Sequence, residues 1–183
     1  MMQWWVGIWN RREHPGALAA VRILLATVIL VDLLIAARLE LVVGIWGDVS
    51  VGGIANVLGR DRPPEVYRWF GASPATAWWV WGFAVGSAVA LLAGIGARVA
   101  ALALCLTLAQ LALILPAPDR GIDMLLRTAL LIMVFARSDA TPSIWARLRT
   151  GRLTGVVGGM VPSWPRFFLV VQLGVLFRGA CAA

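Results

Sequence analysis

The sequence predicts an all-α fold, a polytopic transmembrane helix bundle of four to five spans with short interfacial helices. Three observations point there. The 183-residue chain is 61% hydrophobic and 14% charged, whereas soluble domains are about 45–50% apolar and about 25% charged. Its mean hydropathy is +0.85, so hydrocarbon must be the solvent for much of the surface. Between Ala75 and Ala136 three apolar runs follow one another, two of them close to the ~20 residues that cross a bilayer. They are separated by the breaks Gly94-Ile95-Gly96-Ala97-Arg98 and Pro116-Ala117-Pro118-Asp119-Arg120-Gly121, whose glycines and prolines punctuate helices.

Residues 1–15 read as an interfacial N-terminal segment, and 16–183 as a single membrane domain with spans at about 16–43, 75–95, 97–115, 121–137 and 161–179. Trp4, Trp5 and Trp9 followed by Arg11 and Arg12 suit a headgroup-level segment. Pro15 suits the first turn of a helix. The first span carries Arg22, Asp32, Arg38 and Glu40. Arg22 lies about 8 Å inside the inner face, near enough to snorkel outward. Asp32 lies roughly 22 Å in, too deep for its short side chain, so it needs a partner or a wet cavity.

Residues 44–74 form the one long polar connection, on the outer side, with short interfacial helices expected around Val49–Leu58 and Pro64–Phe70 and with Trp46 and Trp69 at the water boundary. The second span opens with Trp78, Trp79 and Trp81 and carries Gly82-x-x-x-Gly86, then Ala90 and Gly94, a small-residue face for close helix contact. The third has Gln110 as its only strongly polar group, expected to hydrogen-bond another helix. The fourth carries Asp123 and Arg127 four residues apart, on one helix face. Arg137 to Arg152 is a basic amphipathic stretch, with a short surface helix starting near Thr141-Pro142-Ser143. Gly155, Gly158 and Gly159 make a flexible connection to the last apolar run, Phe167 to Phe177.

Net charge is +7 and all 16 basic residues are arginine. Because these flank apolar runs, anionic lipid headgroups are the expected counter-charge, and nucleic acid is not an expected partner. The inner set (Arg11, Arg12, Arg98, Arg137, Arg147, Arg149, Arg152) outweighs the short outer segments (Arg38, Arg120), which places the N-terminus inside a bacterial cytoplasmic membrane. The first run is too long for a cleavable signal peptide and lacks its exit site.

In that orientation Asp32 falls about 8 Å below the outer boundary and Arg127 about 9 Å below it. The expectation is an Asp32–Arg127 pair, with Asp123 near Arg38. Asp32, Arg127, Asp123, Arg38 and Gln110 are thus the candidate intramembrane polar network. It either fixes helix registry or lines a polar cavity open to the outer side beneath the 44–74 loop.

Catalytic constellations are missing from the sequence. His14 is the single histidine, lysine is absent, and no G-x-S-x-G, P-loop, H-E-x-x-H or C-x-x-C occurs. Cys105 and Cys181 have no metal or redox spacing. No catalytic residue, metal or cofactor is therefore expected. The expected partners are membrane lipids and a second copy of the chain or another membrane protein.

In order along the chain stand Ala19-Ala20-Val21-Arg22-Ile23, Asp32-Leu33-Leu34, Arg38, Gly94-x-Gly96-x-Arg98 and Gly121-Ile122-Asp123-Met124-Leu125-Leu126-Arg127. Phe135 with Ser143, and Trp164-Pro165-Arg166 with Gln172, follow. This succession resembles the HTTM (horizontally transferred transmembrane) domain, related to the membrane part of vitamin K-dependent gamma-carboxylase, over nearly the whole chain. The resemblance implies a helical membrane domain. It does not extend to the carboxylase branch's Asn-His pair or its closing lysine, and the family's later spans have no counterpart here. The chain thus reads as the N-terminal part of such a domain, truncated or minimal and non-catalytic as it stands. Two other classes compete: an oxidoreductase accessory subunit of the DoxX/MauE type, and a small-molecule or lipid transporter.

Overall fold

The computed structural model describes residues 12–59, 63–71, 73–114, 121–136, 138, 143–144, 147–148, 151 and 160–181. The N-terminal tryptophans, Arg60 and Arg62, the break at 115–120, Arg137, Arg149, Arg152 and the glycine connection at 155–159 lie outside the described residues. In chain order the elements are β1 (Arg12–Glu13), α1 (Gly16–Arg38), α2 (Val42–Trp46), a 3-10 turn (Val49–Val51), α3 (Glu65–Phe70), α4 (Pro74–Ala93), α5 (Ala97–Ile114), α6 (Gly121–Phe135), β2 (Val161–Pro162) and α7 (Trp164–Cys181).

Pro15, with φ −67°, opens α1, since its ring fixes a helical φ and it has no N–H to satisfy. The buried face is Leu18, Arg22, Leu25, Ile29 and Leu33, with Ala19 and Ala26 beside it, a helical stripe. The first span was expected to run to residue 43, but α1 stops at Arg38. Glu40 takes φ +57°. Its N–H donates to the Ala37 carbonyl at 3.0 Å and the Leu41 N–H to the Ala36 carbonyl at 2.9 Å, a Schellman ending. The remaining apolar residues turn away as α2.

Ser73 caps α4 by accepting the Thr76 N–H at 3.1 Å, with Pro74 in the first turn. Gly94 ends the helix at φ +72°, and α5 returns antiparallel after Ile95 and Gly96. The buried face of α4 is Ala77, Ala84, Ser87, Ala88 and Leu91, met by Ala97, Ala100, Ala101 and Leu104 of α5. Alanines let two backbones approach closely. The Gly82-x-x-x-Gly86 face is not this interface. Both glycines are exposed, and a Cβ added at either would touch nothing within 4 Å.

Helix α4 packs along α1 on one side and α5 on the other; α6 packs on α5, and α7 on α6. Trp81 Nε1 donates to the Leu33 carbonyl at 2.9 Å, tying α4 to α1. Cys105 Sγ donates to the Arg127 carbonyl at 3.5 Å, and Gln172 Nε2 to the Leu125 carbonyl at 3.0 Å, tying α5 to α6 and α6 to α7. Strands β1 and β2 pair antiparallel, Glu13 opposite Val161, and Glu13 Oε2 meets Arg166 Nη2 at 3.1 Å. The start of α1 and the start of α7 therefore lie at the same end of the bundle.

Among the described residues, three helices are long and apolar enough to cross a membrane: α1, α4 and α5. At 15 residues α6 is about 22 Å long, short of the ~30 Å hydrocarbon layer. In α7 the apolar part is Trp164–Val175.

Arg22 does not snorkel. It is fully buried, and its Nη1 donates to the Ser138 carbonyl at 2.5 Å. A Cβ on Gly94 would lie 2.9 Å from Arg22 Nη1 and 2.4 Å from Ser143 Cβ. The guanidinium thus joins α1, the α4–α5 turn and the segment after α6. This is the Arg22 end of the bundle; the Asp48 end is opposite.

Candidate functional site

At the Asp48 end the chain after α2 folds on one carboxylate. Asp48 is 4% exposed. Its Oδ1 accepts from the Ser50 N–H at 3.0 Å and the Ser50 hydroxyl at 2.7 Å; its Oδ2 accepts from the N–H groups of Val57 at 2.6 Å and Leu58 at 3.0 Å. The Leu58 N–H, then Ser50, hold its pKa well below the usual carboxylate range, because each donor favours the charged form. Gly53 lies so close to Gly47 that a Cβ would sit 2.0 Å from the Gly47 carbonyl oxygen. The segment is therefore a compact loop, helical only over Val49–Val51, not an interfacial helix to Leu58.

Trp46 is not at a water boundary: it is 2% exposed, and its carbonyl accepts the Tyr67 hydroxyl. Burial pushes the Tyr67 phenol up to about 12. That bond pins α3, which leaves Val66 and Phe70 standing against α4 and α5. Gly71, at φ +69°, ends α3 and turns the chain into the Ser73 cap.

The result is an apolar groove of about 790 Å³, within the ~300–1,000 Å³ typical of small-molecule sites. Phe70 of α3, Trp79 and Phe83 of α4, and Val99, Leu102 and Leu106 of α5 form its walls. Trp79 and Phe70 are 80% and 75% exposed. Among the described residues, Thr76, Thr107 and Gln110 add polar side chains to it, and Trp79 adds an indole N–H. Thr76 Oγ1 lies 3.0 Å from Ser73 Oγ and donates to the Phe70 carbonyl at 3.3 Å, and the Thr107 hydroxyl donates to the Ala103 carbonyl at 2.8 Å. Gln110 Oε1 is buried without a hydrogen-bond partner.

Neither of the two expected ion pairs of the network, Asp32–Arg127 and Asp123–Arg38, forms among the described residues. Asp32 is exposed and forms no ion pair with Arg127 among the described residues. The depth arithmetic failed because α1 has 23 residues and α6 has 15, so equal counts from one boundary do not mean equal height. Arg127 is level with Cys105, about 12 Å along α5, while Asp32 neighbours Leu33, level with Trp81, about 18 Å along α4 from the same turn. Arg38 is exposed and makes no ion pair with Asp123 among the described residues. Asp123 is half-buried on α6, and Gln110 faces the groove.

Sequence reasoning missed Arg22 and Asp48. Arg22 stands four residues after Leu18 and three before Leu25, which is core spacing. Asp48-x-Ser50 is a turn signal, since an Asp side chain bonds backbone two residues on. No group of three His, Cys, Asp or Glu suited to a metal ion occurs among the described residues. Compared with protein-family models, curated proteins and solved structures, the chain finds no match in any of the three.

Proposed function

We propose that the chain is an integral membrane protein of four to five crossings, N-terminus on the cytoplasmic side of a bacterial membrane, that holds the apolar chain of a lipid-type molecule between α4 and α5. It is a non-catalytic scaffold resembling the N-terminal part of an HTTM domain. The observation that carries the reading is the groove: an apolar wall, lined by large exposed side chains, whose polar groups lie towards the Asp48 end.

The topology is supported by parity. Helices α1, α4, α5 and α6 lie between the paired strands β1 and β2, so four traverses return the chain to the end where it began, and α7 starts a fifth. Orientation is supported by charge. Arg12, Arg98, Arg147 and Arg166 lie towards the Arg22 end, where Glu13 is the acid described. Arg38, Arg68 and Arg178 lie towards the Asp48 end, where Glu40, Asp48 and Glu65 offset them. The basic end faces the cytoplasm.

Native mass spectrometry of the purified chain released from detergent micelles tests the binding. Wild-type protein is expected to retain one long-chain lipid, and Ala103→Trp, which fills the groove wall, to release it. A bare wild-type chain, or equal retention by the variant, sinks the proposal.

A further inference from the structure

The side of α1 turned away from α4 carries one acidic group, Asp32. Resting on the reading of α1 as a membrane span, we infer that this side pairs in parallel with α1 of a second copy, Asp32 of each chain bonding Thr27 of the other. Asp32 is exposed, and among the described residues no hydrogen bond or ion pair holds it within the chain. It stands about 9 Å short of the Arg38 end of α1, too far for its short side chain to reach water. A polar group turned to hydrocarbon without a partner is expensive, and a neighbouring helix is where such groups find one.

The residues around that carboxyl group follow a coiled-coil repeat. Leu24, Val28, Val31 and Ile35 are all exposed. Their spacing of four, three and four is the a/d seam of a helix pair, and Val28 and Ile35 fall at a, where β-branched residues favour two strands. The packed stripe from Leu18 to Leu33 lies on the opposite side of the helix, which leaves the seam uncovered. Counted from the seam, Thr27 is a g position and Asp32 is the e position of the next heptad. In a parallel pair those two positions meet across the interface. Thr27 is exposed, and its hydroxyl donates to the Ile23 carbonyl at 2.8 Å. That carbonyl keeps its helical N–H bond when the hydroxyl swings out to the partner's Asp32. The chain thus carries the complement of its own carboxyl group. A second copy arrives in the same orientation, since identical chains insert alike, and two-fold symmetry makes the contact twice.

Sedimentation equilibrium of the full chain in density-matched detergent micelles tests the pairing. Wild-type protein is expected to dimerise. Asp32→Leu and Thr27→Val, each close in size to the residue replaced, are each expected to weaken the dimer about tenfold, the range of two hydrogen bonds between membrane helices. Asp32→Asn still accepts from Thr27 and should stay dimeric. A mixture of Asp32→Leu with Thr27→Val restores one of the two contacts, and should associate about threefold more tightly than either variant alone, a rescue that misfolded chains do not give. A monomeric wild type, undiminished dimers in the single variants, or a mixture no tighter than its components overturns the inference and leaves the membrane and groove readings standing. A wild-type chain that stays dispersed in buffer without detergent overturns the membrane reading and the inference with it.

Discussion

At the Arg22 end a guanidinium is buried and donates to a backbone carbonyl; at the Asp48 end a carboxylate is buried and collects backbone N–H groups. The two ions differ in reach as well as sign. The Ser138 carbonyl is 116 residues from Arg22, whereas the partners of Asp48 lie within ten residues of it. Arg22 therefore closes the tertiary structure, joining α1 to the α4–α5 turn and the segment after α6. Asp48 closes only its own loop, and through Trp46 and Tyr67 that loop steadies α3 and one wall of the groove. The long flexible side chain suits the first task and the short acceptor suits the second.

Breaking the comparison at its stronger side should give the largest effect. Arg22→Met removes the ion, leaves the Ser138 carbonyl without that donor and loosens three elements together. The expected loss is about 3–5 kcal/mol, read as a large fall in Tm in detergent and coincident loss of all helical protection in hydrogen exchange. Loss confined to one helix would show that Arg22 is not the tie. Gly94→Ala attacks the same end more mildly. It puts a Cβ 2.4 Å from that of Ser143 and asks an L-residue to hold φ +72°, together about 2–3 kcal/mol. Gly82→Ala, inside α4 with open space around it, is the control and should not lower Tm, since alanine in a helix interior is favoured over glycine by about 0.5–1 kcal/mol.

At the other side, Asp48→Asn should leave the Tm of the bundle near wild type and open the loop. Proteolysis between residues 44 and 59 and hydrogen exchange at the Val57 and Leu58 amides are the readouts. The pH dependence follows from the sign of the shift. Asp48 is held below its ordinary pKa, so its contribution is fully present above about pH 4 and is lost as pH falls further. Loop protection should be flat from pH 5 to 8 and fall below about pH 4 in wild type only. Collapse of the whole bundle on this substitution would erase the distinction between the ends.

The sequence made the long apolar helices legible because hydrophobic runs and glycine breaks are local signals. Helix α4 opens at Pro74 and α5 at Ala97, each within a residue of expectation. The buried ions were not legible in the same way. Depth counting treated every span as equally long, and so it paired Asp32 with Arg127 and sent Arg22 outward. The error at Arg22 came from weighing hydration cost alone, when the spacing from Leu18 to Leu25 already put it on the packed face. Gln110 was read as a helix-to-helix hydrogen bonder; no sequence rule says which helix faces a groove, because that depends on where α3 lands.

The smallest expected effect concerns the two left-handed turns that end α1 and α4. Gly94 serves at the Arg22 end, but at the Asp48 end the same conformation falls to Glu40, φ +57°. A left-handed L-residue costs roughly 1–2 kcal/mol, and glycine there gives back part of that gain through its greater freedom when unfolded. Glu40 is exposed and makes no ion pair among the described residues, so its removal forfeits no described contact. Glu40→Gly should raise stability by about 0.5–1 kcal/mol, seen as a small upward shift of Tm without change in the exchange of the Asp48 loop. A fall in Tm would mean that the carboxylate, not the turn, is what position 40 supplies, and the Asp48 end would then hold a second anchoring acid.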